Sequence, residues 1–399
     1  MSTKLPDAKW RARTGLDVLL EVLGATTGET RFVGGAVRDT LLGLDVNDID
    51  LATQRRPEEV MAGLRAAGIK AIPTGIAHGT ITAVLPEGSV EITTLRRDVS
   101  TDGRRATVAF TDVWEEDAAR RDFTLNALSA DPITGSIHDY FGGLTDLKAR
   151  RVRFIGAPLA RIAEDHLRIL RFFRFHARFG QGAPDAAALA ACTARANDLM
   201  ALSRERIADE LLKILCLPNP TPTVALMIAH GILAPVLPEI TTAAGLEAIV
   251  ASETKQALPA DALRRLASLL PANAELAENV AARLKLSKAN RKLMLTLGGR
   301  QRADAARPLA LAYEHGAAAA TSRLLLSDAP IDALRGWVPP RFPLSGGDLI
   351  ARGLAAGPRV AQALQHIERE WVAAGFPDHI EVERIAQRVL SSHANLSEG

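Results

Sequence analysis

The first 150 residues break into short apolar runs separated by polar turns, whereas the remainder carries its apolar residues at helical spacing almost throughout. Leu16 to Leu23 reads as a short helix. Thr30 to Val33 reads as a strand running into Gly34-Gly35, after which Ala36 to Leu42 returns to helical spacing. A further strand is expected at Ile49 to Thr53 and a Pro57-led helix to Ala67. Two alternating segments, Gly79 to Leu85 and Ser89 to Leu95, flank Pro86-Glu87-Gly88. A small mixed sheet with flanking helices fits this order. Asp98 to Thr111 is polar, basic and Gly-containing, and is expected to be a mobile loop. Beyond Arg150 the spacing predicts helices at Ala160 to Arg178, Ala186 to Leu199, Arg204 to Leu215 and Pro222 to Gly231, then an Ala- and Leu-rich helical series. The expected fold class is therefore α+β, a mixed-sheet head followed by an all-helical remainder.

Length sharpens this picture, because 399 residues exceed what one hydrophobic core usually organises and imply two or more packed units. Hydrophobic residues make up 47% and aromatics only 4%, a balance that favours packed helices. Cys192 and Cys216 lie in unrelated contexts, which argues against a zinc site and a disulfide framework. Met1 to Arg13 has no signal-type apolar core, and no apolar run reaches the roughly 18 residues of a membrane span. A cytoplasmic setting without a membrane is the expectation. The net charge of +2 does not announce a nucleic-acid partner, but its distribution does more. Arginine pairs recur at 96–97, 104–105, 120–121 and 150–151, and Arg168, Arg171, Arg174 and Arg178 share one predicted helix. Such a planar fork suits phosphate; an ordinary solvated helix face is the alternative.

Asp48-Ile49-Asp50 falls at a predicted strand, where residues two apart share a face, so both carboxylates can serve one hard divalent cation. Alone, such a pair is weak evidence, since surface strands supply it by chance. Glu91 lies between apolar Val90 and Ile92, points away from their face and could join the aspartates; an exposed strand glutamate is the bland alternative. Three carboxylates would suit two magnesium ions and in-line phosphoryl transfer. Gly34-Gly35 before a helix bearing Arg38 lets backbone N–H groups approach phosphates without Cβ clashes.

The segments Gly34-Gly35-Ala36-Val37-Arg38-Asp39 and Asn47-Asp48-Ile49-Asp50-Leu51-Ala52-Thr53 resemble the head signature of class II tRNA nucleotidyltransferases and bacterial poly(A) polymerases, within the polymerase β superfamily. Arg120 to Leu128 resembles their ribose-selecting segment, and Glu164 to Arg171 their base-selecting helix. The resemblance implies Asp48 and Asp50 as Mg2+ ligands and Glu91 as the third catalytic carboxylate. It places Gly34, Gly35 and Arg38 by the triphosphate, Asp122 and Asn126 by ribose and phosphate, the bland alternative for these two being helix capping, and Arg121 among the nucleotide-binding residues. Asp165, Arg168, Arg171 and Arg174 complete the nucleotide set. Asp165 and Arg168 lie three apart on a predicted helix, so they are expected to share a face and read one base edge together. Cytosine and adenine both present an amino donor beside a ring-nitrogen acceptor, so a carboxylate and a guanidinium would pass them and reject guanine and uracil. A surface ion pair is the alternative.

The resemblance further implies CTP and ATP as substrates, tRNA as partner and two Mg2+ ions as cofactor, with no protein partner. Asp102 to Thr111 resembles the family's flexible loop, and Ser203 to Glu210 its neck helix bracing the base-selecting helix. Expected domains are a head at 1–149, a neck at 150–217 and an RNA-contacting body and tail at 218–399. One departure is Phe172-Phe173, where many members carry a small residue. His138-Asp139 and Asp378-His379 lack companion histidines, so no phosphohydrolase activity is expected. A poly(A)- or partial-adding enzyme is the first rival, and an inactive RNA-binding protein the second.

Overall fold

The computed structural model describes residues 3–101 and 106–395. Its contacts define two compact units, Met1–Ile240 and Thr241–Gly399, so the expected head and neck fall within one unit.

The first unit carries strands β1 (Thr30–Val33), β2 (Ile49–Thr53), β3 (Lys70–Gly75), β4 (Thr80–Leu85), β5 (Gly88–Thr94), β6 (Arg96–Thr101), β7 (Ala106–Phe110), β8 (Ser129–Ala130) and β9 (Ile137–His138). Seven of them form one sheet in the order β3-β4-β5-β2-β1-β8-β9, while β6 and β7 pair separately. Among the described strands, only β2 and β5 run parallel. Its helices are α1 (Leu16–Val22), α2 (Gly35–Leu41), α3 (Pro57–Ala66), α4 (Trp114–Ala119), α5 (Gly143–Lys148), α6 (Pro158–Glu164), α7 (Arg168–Phe179), α8 (Ala186–Ala194), α9 (Arg204–Leu215) and α10 (Thr221–Ala229).

Alternation along the strands decides what is buried. Ile81, Ala83, Leu85, Val90 and Ile92 lie on one face with almost no exposure. Helix α3 packs on β3 and β4 and lends Val60 and Leu64 to that core. Burying each such side chain stabilises by about 1.5–3 kcal/mol. The start of α3 is set by Pro57 at its first position and by Glu59, whose carboxylate accepts the Arg56 N–H at 2.8 Å. In α7 the buried residues Ile169, Leu170, Phe172, Phe173, Phe175 and Phe179 leave the arginines for the other faces.

Three expectations need correction. Strand β3 escapes the sequence pattern because Pro73 and largely exposed positions disguise it, and an edge strand tolerates proline. The expected loop at 98–111 is largely an antiparallel ribbon, in which β6 and β7 satisfy each other's backbone groups; its Asp102–Arg105 portion lies outside the described residues. The helix expected at 160–178 breaks at Asp165, which is extended (φ −153°, ψ 108°). There its carboxylate accepts the Leu167 N–H at 3.1 Å and its carbonyl the Arg168 N–H at 3.0 Å, so local capping wins over helix continuation.

The second unit is helical among its described residues: α11 (Ala244–Lys255), α12 (Ala262–Ser268), α13 (Ala274–Arg283), α14 (Lys288–Gly298), α15 (Pro308–His315), α16 (Ala317–Leu326), α17 (Gly346–Ala351), α18 (Pro358–Ala373) and α19 (His379–Asn395). Asp261, Asn273 and Ser287 cap α12, α13 and α14 by accepting backbone N–H bonds. Leu349, Ile367, Trp371, Val382 and Ile385 share a core. Buried Glu253 is paired with both Arg264 and Arg265. No helix among the described residues is long and apolar enough to cross a membrane.

Candidate active site

Ile49 and Leu51 are buried, so Asp50 between them projects from the opposite face of β2. Parallel pairing sets Asp50 beside Glu91 of β5. Asp48 sits just before β2 and is exposed. Burial, reinforced by the charges of Glu91 and Asp48, pushes the Asp50 carboxyl up to about 6 against the opposing pull of Arg121 and Arg38. Among the described residues, no group of three or more His, Cys, Asp or Glu side chains is drawn close enough to hold a metal ion unaided.

Gly34 ends β1 at φ 64°, ψ −119°, a conformation closed to most L side chains. A Cβ there would also stand 3.0 Å from Arg121 Nη1. Arg38, in the following helix, is buried and fully oriented. Its Nε donates to Asp39 at 2.7 Å, its Nη1 to Asn126 Oδ1 at 2.5 Å, and its guanidinium lies 4.2 Å from the Phe179 ring centroid. Burial lowers its pKa, with Asp39 opposing.

Asp122 is the hub of the next layer. It accepts from Arg171 Nε at 2.7 Å, from Asn126 Nδ2 at 2.8 Å and from the Phe123 N–H at 2.8 Å. Burial works against its charge, yet Arg171 and these donors outweigh it and hold the carboxyl below its ordinary value. One chain of contacts thus runs from Arg171 through Asp122 and Asn126 to Arg38. Asp122 caps no helix: Phe123 is the cap position of the next turn and has no side-chain cap bond, and while the Phe123 and Asn126 bonds are local, the Arg171 bond reaches across 49 positions. Asp117, also buried, pairs with Arg120 at 2.9 Å and Arg121 at 3.2 Å.

Asp165 and Arg168 are held from separate directions rather than by one continuous helix. Arg206 Nη2 of α9 donates to both Asp165 oxygens, at 3.0 and 2.8 Å. Arg168 Nη1 donates to Glu164 at 2.6 Å and to the Arg161 carbonyl at 2.9 Å, and its Nη2 donates to the Arg120 carbonyl at 3.1 Å.

These groups line one cavity of about 410 Å³. Gly34, Gly35, Arg38, Asp50, Arg121, Asp122, Asn126, Asp165, Arg168 and Arg171 all face it, although they come from stretches more than 100 residues apart. Asp48, Glu91 and Arg174 are outside its lining. Arg174 is turned to Glu210 of α9, its Nε donating at 2.6 Å, because three residues beyond Arg171 the helix has rotated the side chain by about 60°. Arg120 and Phe175 also line the cavity, although neither was among the expected site residues. The Arg120-Arg121 doublet pointed to the first. Phe175 lies four residues after Arg171 on the same helix, where its ring backs the guanidinium groups of Arg38, Arg171 and Arg174.

The chain is similar to known proteins over most of its length. A family model of the Poly A polymerase head domain matches residues 30–153, and one of the probable RNA- and SrmB-binding site of polymerase A matches residues 184–243. The mouse mitochondrial CCA tRNA nucleotidyltransferase 1 is 34% identical over 394 residues, covering 94% of this chain and 90% of its own. The chain belongs to the CCA tRNA nucleotidyltransferase family. The zebrafish member is 36% identical over 383 residues, covering 90% and 86% of the two chains. The crystal structure of the Bacillus stearothermophilus CCA-adding enzyme in complex with CTP superposes with a TM-score of 0.73 at 27% identity, covering 96% of this chain and 100% of that one. The nucleotidyltransferase family implies dependence on a divalent metal.

Proposed function

We propose that this chain binds CTP or ATP in the 410 Å³ cavity and adds C, C and A to the 3′ end of tRNA. The observation that carries this reading is the convergence of carboxylate, glycine and arginine groups from four separate segments on one cavity. The RNA 3′ oxygen forms a bond to the α-phosphorus while the bond from that phosphorus to the β-phosphate bridging oxygen breaks, releasing pyrophosphate. Gly34, Gly35 and Arg38 cradle the triphosphate, and Arg120 and Arg121 add positive charge at the same wall. Asp122 and Asn126 orient the ribose side, and the 2′-hydroxyl marks the substrate as a ribonucleotide.

Asp48 and Asp50, with Glu91 beside Asp50, are the residues that would hold two Mg2+ ions. Mg2+ characteristically combines one or two carboxylates with substrate phosphate oxygens, which suits a site without an all-protein cage. When bound, the ions would activate the attacking hydroxyl and neutralise charge on the leaving phosphates. Asp165 accepts from the exocyclic amino group of C or A and Arg168 donates to the neighbouring ring nitrogen, while uracil and guanine offer the reverse pattern. The support is that both face the cavity and both are held in place by other residues.

We place catalysis in residues 1–149, base selection in 150–217 and RNA contacts in 218–399. The solved relatives include a Thermotoga maritima CCA-adding enzyme complexed with tRNA. Two free cysteines suit a reducing compartment such as the cytoplasm.

The test is incubation with Mg2+ and tRNA lacking its last three nucleotides, followed by 3′-end sequencing. Ends of CC with CTP alone and CCA with both nucleotides are expected. Long A tracts from ATP alone would shift the reading to a poly(A) polymerase, and no extension would overturn it.

A further inference from the structure

The cavity accounts for the incoming nucleotide but not for the attacking strand. In-line displacement needs the attacking and leaving oxygens on opposite sides of the phosphorus. The residues cradling the nucleotide flank β1 and α2, on one side of β2 in the sheet; β5, β4 and β3 lie in that order on the other side. Asp50 on β2 stands at the border and lines the cavity, whereas its neighbour Glu91 does not.

Strand register carries the carboxylate-bearing face outward from Glu91. Thr82 is opposite Glu91, Ile72 is opposite Thr82, and Val84 is opposite Lys70. The other face of β4 and β5 is the buried core, so this face is turned outward by the alternation itself. Ile72 and Val84 nevertheless carry bare apolar side chains, 41% and 38% exposed. Beside them the Thr74 and Thr82 hydroxyls lie 2.9 Å apart, and Lys70 is exposed.

We propose that this strip, formed by Lys70, Ile72, Thr82 and Val84, seats the 3′-terminal nucleotide of the RNA. This rests on reading the cavity as the nucleoside triphosphate site. The strip begins at the catalytic carboxylates on the side opposite the triphosphate cradle, where the attacking hydroxyl must arrive. Apolar contact from Ile72 and Val84 is indifferent to base identity, which suits a 3′ end whose last nucleotide changes with every addition. The Thr82 hydroxyl can both donate to and accept from a ribose 2′-hydroxyl, and Lys70 supplies a cation for the phosphodiester.

The experiment compares wild type with Ile72→Asp and Lys70→Glu on tRNA lacking its last three nucleotides, with circular dichroism melts as the fold control. The KM for tRNA should rise roughly tenfold in Ile72→Asp, with the CTP dissociation constant measured without RNA unchanged. An unchanged tRNA KM in the folded variants would overturn the proposal. Failure of wild type to extend any tRNA would instead sink the reading of the cavity. A second measurement needs no variant: tRNA carrying 4-thiouridine at its 3′ end is irradiated on the wild-type protein. Crosslinks in the segment 70–84 support the seat, and crosslinks confined to other segments overturn it.

Discussion

Arg206→Met should lower the preference of the site for CTP over UTP about tenfold. Arg206 Nη2 donates to both oxygens of Asp165, at 3.0 and 2.8 Å, and its loss leaves the carboxylate with the local Leu167 N–H at 3.1 Å to one oxygen. The two side chains are 32% and 30% exposed, so solvent competes for the same atoms. The brace is therefore worth about 1–2 kcal/mol rather than the ~3–5 kcal/mol of a broken fully buried pair. Methionine keeps an apolar stem and removes both bonds. If about 1.4 kcal/mol of orientation is lost, the ratio of kcat/KM for CTP to that for UTP falls tenfold. Single-nucleotide extension of tRNA lacking its last three residues measures the ratio directly. An unchanged ratio in a folded variant would refute the claim that Arg206 orients Asp165. An equal loss for both nucleotides would show that Arg206 serves the fold and not selection.

Asp48→Ala should abolish incorporation of both nucleotides while tRNA binding, read by filter retention, persists; near-normal Mg2+-dependent activity would remove Asp48 from the metal site. Burial and the charges of Glu91 and Asp48 push the Asp50 carboxyl up to about 6, so adding Mg2+ near that pH should release protons, measurable by calorimetry in buffers of different ionisation enthalpy. Gly34→Ala forces a Cβ to 3.0 Å from Arg121 Nη1 at φ 64° and should cost about 1–3 kcal/mol in urea melts, with a higher KM for CTP. Asp122 has a folded pKa below the unfolded carboxylate value of about 3.9, so the stability it confers is complete above that value and lost as pH falls toward the folded pKa. Asp122→Asn should flatten the loss of stability between neutral and acid pH in urea melts, and an unchanged slope would contradict the assignment.

Much of the cavity lining was legible because its residues lie in short segments. Gly34-Gly35, Asp50 and Arg121-Asp122 with Asn126 each combine a residue type with a local backbone need, whereas Asp48, from the same segment as Asp50, stays outside the lining. Helix α9 and strands β1 and β2 were legible for the same reason: period and boundary residues are local quantities. Strand β3 was not, since an exposed edge with Pro73 has weak alternation and owes its structure to pairing with β4. Nor was the β6–β7 ribbon, whose polar sequence resembles a loop until cross-strand pairing supplies its hydrogen bonds.

The sequence by itself determined the order of elements, the mixed-sheet head with a helical remainder, and which residue types were available for phosphate, metal and base. Only tertiary structure decided which of them meet. Parallel pairing of β2 with β5 brings Asp50 to Glu91 across 41 positions, and packing of α7 brings Arg171 to Asp122 across 49. The same packing turns Arg174 to Glu210, adds Arg120 and Phe175 to the cavity, and lets capping at Asp165 interrupt a helical pattern. Periodicity records the face that a residue shows to its own element, whereas a site requires the rotation and separation of several elements at once, and those are set by burial of side chains far apart in the chain.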